Sequence, residues 1–213
     1  WPALAHTKPR ADRVVCANNL RLVGRGEHIW ASERKDLFPW RAPASLGGTE
    51  GHPFSRQLWF QYATMSNELV TPTILACPSD ARTHPARDFS GSADGGFLHT
   101  NYRLRAVSYF IGLDCYLGLP TVAGARPLAA ALGGDPNLRV DQDVATCSSW
   151  VSIAFGVLSG PTSQTGWTNG IHGAVGNILF VDGRVSQVST ADVATAIAPS
   201  GDDNRFNHIL LPR

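Results

Sequence analysis

The sequence predicts an α+β fold: an N-terminal amphipathic helix packed on an antiparallel β-sheet, with long loops between the elements. Three observations carry this reading. Apolar or small residues recur as pairs seven apart, Val15/Cys16, Leu22/Val23 and Ile29/Trp30, with Leu20 between them. That spacing makes one stripe on a helix. Near the end, Asn177 to Val181 and Arg184 to Val188 are β-rich runs joined by Asp182-Gly183. An Asp-Gly pair between such runs predicts a hairpin with a type I′ turn, which needs positive φ at both central residues. Val107, Tyr109 and Ile111 alternate with smaller or oppositely facing residues, as in a strand.

Residues 1–34 are expected to be helical. Pro2 and Pro9 move the regular part to about Arg10. Arg13, Arg21, Arg25 and Arg34 form the polar face. Gly24 and Gly26 each cost the helix about 1 kcal/mol relative to alanine, so it needs a sheet to pack on. Residues 35–213 form the globular head, and the two parts together make one domain. Pro39, Pro43, Gly47, Gly48 and Gly51 mark Asp36 to Gly51 as loop. Leu58, Tyr62 and Met65 suggest a short helix over Phe54 to Met65, with Ser55 as its cap. Pro72 to Ala76 reads as a short strand ending in the turn Cys77-Pro78-Ser79-Asp80. Arg82 to Gly96 reads as loop, Ala106 to Gly112 as strand, and Gly133 to Asn137 as a turn cluster. Thr190 or Asp192 is placed to cap a helix running to Ile197, and Asn207 to Pro212 to form a last edge strand.

The net charge of +1 argues against nucleic acid or an anionic membrane as partner. No run reaches the roughly 18 consecutive apolar residues of a membrane span. The four cysteines, Cys16, Cys77, Cys115 and Cys147, form no C-x-x-C pair. Their wide spacing fits one or two disulfides in an oxidising compartment, or buried thiols; four cysteines allow three connectivities. Seven histidines are scattered without a metal-binding spacing. A Cys147/His172/Asp182 set has the types of a nucleophile, base and orienter, but no local motif supports it, and Asp182 has a sufficient role in its turn. His172 is placed to hydrogen-bond a carbonyl or a carboxylate if the segment before the hairpin folds back. Asp141, Asp143, Asp202 and Asp203 offer oxygen donors for a structural calcium but lack the EF-hand order. Trp40, Trp59 and Trp167 are either core residues or, on a ligand-binding reading, stacking groups beside the loops.

The order of motifs resembles that of prepilin-type H-x9-DG proteins of the type IV pilin and type II secretion pseudopilin kind. His172 is followed after nine residues by Asp182-Gly183, with Gly176-Asn177 and an apolar run between them. Cys16-Ala-Asn-Asn-Leu20-Arg-Leu-Val-Gly24 is similar to that family's helix stretch, Phe38-Pro39 to its following F-P, and Cys77-Pro78-Ser79-Asp80 to its C-P-S-D turn. Val107 to Asp114, followed by Gly134-Asp135-Pro136-Asn137, is similar to a variant of its middle segment. The matches span nearly the whole chain. Pro9 and the Gly24/Gly26 pair depart from the family's Ala- and Lys-rich helix.

The resemblance implies a structural, non-catalytic filament subunit with no catalytic residues and no cofactor beyond a possible calcium. Other pilin or pseudopilin subunits would be its partners, and its head would lie in the periplasm or at the cell surface. It also implies a hydrophobic helix extension upstream of Trp1 that anchors the full-length form in the inner membrane. His172, Gly176, Asn177, Asp182 and Gly183 become a structural hairpin motif. Cys16 and Cys77, the family-like cysteines, would pair if the helix packs beside the turn, leaving Cys115 with Cys147. The alternative reading is an extracytoplasmic ligand-binding module, for a glycan or similar, on the same fold.

Overall fold

The computed structural model describes residues 7–113, 131–139, 152–154, 166–197 and 206–212. Its helices are α1 (Thr7–Ser32), α2 (Leu58–Thr64), α3 (Ser66–Leu69) and α4 (Thr190–Ala196). Its strands are β1 (Phe110–Gly112), β2 (Ala131–Gly134), β3 (Leu138–Arg139), β4 (Ser152–Ala154), β5 (Gly166–Trp167), β6 (Val175–Phe180), β7 (Val185–Ser189) and β8 (Phe206–Leu210). Six strands form one sheet in the order β4-β8-β1-β2-β6-β7, and β3 pairs with β5. Every pairing between these strands is antiparallel. The α+β class is therefore as the sequence predicts.

The sheet is buried on both faces because successive side chains point to opposite sides. Tyr109, Ile111, Leu132, Leu179 and Val181 join the α1 residues Cys16, Leu20, Val23 and Trp30 in one core. Phe110, Ala131, Ile178, Phe180 and Ile209 face the other way, onto Trp167, Val193 and Ile197. The helical stripe is narrower than the residue pairs suggested. Cys16, Val23 and Trp30 are buried, whereas Val15, Leu22 and Ile29 remain 46%, 40% and 42% exposed. Neighbouring residues on a helix are about 100° apart, so one face cannot take both. The polar face also differs at Arg34, which lies over the Trp30 ring at 4.3 Å and reaches Glu68 at 3.7 Å.

Several local expectations are corrected. Pro72–Leu75 is a 3-10 helix, not a strand. Proline at its first position presets φ, and the Thr71 hydroxyl accepts the Thr73 N–H. The regular strand near residue 110 spans three residues rather than seven. The C-terminal strand β8 lies between β4 and β1, not at the sheet edge. The hairpin of β6 and β7 forms, but its turn is not type I′. Gly183 N–H donates to Phe180 O and Phe180 N–H to Arg184 O. Only Gly183 in this loop has positive φ, at 80°. The loop is thus the three-residue form, a tight turn closed by a left-handed glycine. The side chain of Asp182 accepts from Arg184 N–H at 2.9 Å, which fixes that turn.

Glu27 of α1 is an exception to the apolar packing. Both of its carboxylate oxygens are buried and find no partner among the described residues. Burial pushes its pKa well above the ordinary glutamate value. Its contribution to stability is thus full below the unfolded value and is lost as pH rises towards the folded one. Glu27→Met keeps length and helix propensity while removing the orphaned oxygens. It is expected to stabilise the protein by about 1–2 kcal/mol near neutral pH, with a smaller gain at pH 5 than at pH 8. Urea melts at both pH values check this; an unchanged midpoint at pH 8 would contradict it.

Candidate functional site

The C-P-S-D turn is held against α1 and the sheet by short polar contacts. Ser79 Oγ donates to Asp12 Oδ2 at 3.0 Å, and Cys77 N–H donates to Ser108 Oγ at 2.9 Å. From α1, Asn19 Nδ2 donates to Ala76 O at 3.2 Å. These contacts set Cys77 beside Cys16. A second pin joins α1 to the hairpin end: the His28 ring nitrogens lie 2.6 Å from Gly24 O and 2.7 Å from Val181 O. The segment before β6 then folds back and places His172 on the same spot.

The result is a buried cluster of Cys16, Cys77 and His172, whose donor atoms all lie within 4.8 Å of one another. Cys77 Sγ is 3.4 Å from His172 Nε2. Asp135, in the turn after β2, brings Oδ2 to 3.6 Å from the same nitrogen. Asp135 Oδ2 also accepts Asn177 N–H at 2.7 Å and Asn177 Nδ2 at 2.9 Å. Asn177 Nδ2 reaches Arg13 O at 3.4 Å as well, tying β6 to the helix. Asp135 Oδ1 and His172 Nδ1 are buried without a partner among the described residues.

The electrostatics follow from this crowding. The hydrogen bond from Cys16 lowers the Cys77 thiol to about 6, with His172 helping, although burial opposes it. Cys16, as the donor of that bond, is pushed far up. Burial raises Asp135 to about 7 despite the opposing His172 charge and Asn177 hydrogen bonds. Burial works to lower His172, but the Cys77 hydrogen bond and the Asp135 charge outweigh it and its pKa rises. A simple ion pair would depress the carboxylate. Asp135 is fully buried, so desolvation dominates instead and the carboxyl holds its proton to higher pH. Chemically the cluster offers two cysteine sulfurs, an imidazole and a carboxyl group, all buried.

The structure brings four of the expected residues together: His172, Asn177, Cys16 and Cys77. Both cysteines are free thiols, so the bridge implied for them is not formed. Gly176 lies on the other side of β6, where the Trp167 ring covers it. Asp182 and Gly183 sit at the hairpin tip with Arg184, and the acid beside His172 is Asp135 rather than Asp182. The imagined nucleophile Cys147 lies outside the described residues, as do Cys115 and the acids Asp141, Asp143, Asp202 and Asp203. Trp40, Trp59 and Trp167 are buried core residues, not surface stacking groups. Trp167 Nε1 donates to Val188 O at 2.8 Å. Sequence reasoning missed Asp135. Its only signal was an acid beside a proline in a turn, which already has a local explanation.

No helix among the described residues is long and apolar enough to cross a membrane. No protein-family model matches the chain, and no curated protein or solved structure matches it.

Proposed function

We propose that the chain is the globular head of a structural subunit of a type IV pilus-like or type II secretion pseudopilus filament. The observation that carries this reading is the outer face of α1. Val15, Leu22 and Ile29 are substantially exposed at seven-residue spacing, on a helix whose other face is buried in the core. An apolar seam of that period is what one helix presents to another in a bundle. The helix laid on an antiparallel sheet and the order of the sequence motifs support the same reading. The partners are further subunits of this kind, and the head faces the periplasm or the cell exterior. Assembly is driven mainly by apolar helix surface upstream of Trp1, at about 25 cal/mol per Å² buried.

Two measurements test this. The coding sequence upstream of Trp1 is expected to hold a basic leader and about 20 apolar residues; an ordinary start codon there sinks the reading. In the full-length protein, Val15→Asp with Leu22→Asp is expected to abolish sedimentable filaments while leaving the circular dichroism of the isolated head unchanged. Filaments that persist in the double variant, or stable filaments formed by the 213-residue chain alone, would overturn it.

A further inference from the structure

We propose that Cys16, Cys77 and His172 bind a zinc ion, with Asp135 as its fourth ligand. The three first-named donors come from α1, the turn after the 3-10 helix, and the segment before β6. Residues so far apart in sequence converge only because the fold is closed around them. A tetrahedral zinc with Zn–S near 2.3 Å and Zn–N near 2.0–2.1 Å has S–N edges of about 3.5 Å and S–S edges of about 3.8 Å. The observed Cys77 Sγ to His172 Nε2 separation is 3.4 Å. Asp135 Oδ2 stands 3.6 Å from the same nitrogen, which brings the carboxylate alongside the three donors with its Oδ1 unpartnered. The three donors of Cys16, Cys77 and His172 lie within 4.8 Å of one another, so a small contraction brings them onto one ion, with the Asp135 carboxylate beside them.

The donor set also fits the metal. Two sulfurs and an imidazole nitrogen select zinc over calcium or magnesium, which take oxygen. Asp135 spends Oδ2 on Asn177 and keeps Oδ1 buried and unpartnered, so one lone-pair face is left for an ion. Asn177 acts as the outer-shell group that orients this carboxylate. Binding displaces the thiol protons to solvent, and the dication balances the two thiolates formed. The remaining carboxylate charge is opposed by Arg13, whose charge acts on this cluster. A cleft lined by Ser79, Asp80, Asn137 and Ile171 lies beside the cluster. These residues are the chain neighbours of Cys77, Asp135 and His172.

The wild-type chain decides the matter without relying on any variant. Protein isolated without chelator, under an inert atmosphere, is expected to carry about one zinc per chain. Replacing that zinc with Co²⁺ is expected to give a thiolate-to-cobalt charge-transfer band and tetrahedral d–d bands. His172→Ala is expected to lose at least tenfold in cobalt affinity while both thiols still react with alkylating agent in denaturant. Two results overturn the proposal: no thiolate–cobalt band from a chain with both thiols reduced, or a Cys16–Cys77 disulfide in freshly isolated protein by non-reducing peptide mapping.

Discussion

Asp135→Ala is expected to lower the stability of the metal-free protein by about 3–5 kcal/mol, the cost of removing one partner from a buried charged pair. The truncation leaves Asn177 N–H without its acceptor, removes the shorter of the two bonds from Asn177 Nδ2, and takes the neighbouring carboxylate from His172. Asp135→Asn keeps an acceptor oxygen where Oδ2 stands, so both bonds from Asn177 survive, and it places a buried amide NH2 at the position of the unpartnered Oδ1. It is expected to cost about 1–2 kcal/mol. Urea denaturation monitored by fluorescence measures both, and equal costs for the two variants would show that the hydrogen bonds to Asn177 are unimportant.

The same pair contributes a pH dependence of definite sign. Asp135 is raised from the ordinary aspartate value of 3.8 to about 7. Its contribution is full below the lower value and is lost as pH climbs through the higher one. His172 is raised as well, so its contribution is full below the usual histidine range and is also lost on the alkaline side. Both contributions favour pH 5 over pH 8 in the metal-free protein, while the depressed Cys77 thiol, at about 6, runs the other way. In Asp135→Asn the fall in stability that Asp135 supplies towards pH 8 should disappear. Zinc reverses the trend, because its ligands must be deprotonated.

What was legible in the sequence was local. The helical stripe and the Asp-Gly hairpin depend on neighbours a few residues away, and both formed. What was not legible depended on distant partners. Val15 and Cys16 belong to one apolar pair, yet only the position of the sheet decides that Cys16 is buried and Val15 exposed. The C-terminal strand has the composition of an edge strand, but pairing with β1 and β4 makes it internal. Pro72–Leu75 is too short for its periodicity to separate strand from helix. The H-x9-DG segment was legible as a hairpin. That its histidine meets Cys77 across 95 residues, and that Asn177 meets Asp135 across 42, no window on the sequence contains.

Gly176→Val is the sharpest test of how the hairpin motif is packed, because two rules predict opposite signs. Valine is a strong strand former and glycine a weak one, so β6 alone should gain from the change. A Cβ at Gly176, however, would lie 2.7 Å from three ring atoms of Trp167. The indole is rigid and its Nε1 is anchored on Val188 O, so it cannot turn aside without breaking that bond. The second core, built on Trp167, Ile178, Phe180 and Val193, would open with it. The expected loss is about 3 kcal/mol or more, the upper range for overpacking. Gly24 provides the contrast. Its Cβ would meet Leu179 methyls at 2.7 and 3.0 Å, but these are the ends of a side chain that can shift. Alanine there also recovers about 1 kcal/mol of helix propensity, so Gly24→Ala should fall within about 1 kcal/mol of wild type. Trp167→Leu in the Gly176→Val background removes the obstruction. A double-mutant cycle should then give a coupling of about 1–3 kcal/mol. Additive losses would mean that Gly176 is required for the strand itself, not for the ring that covers it.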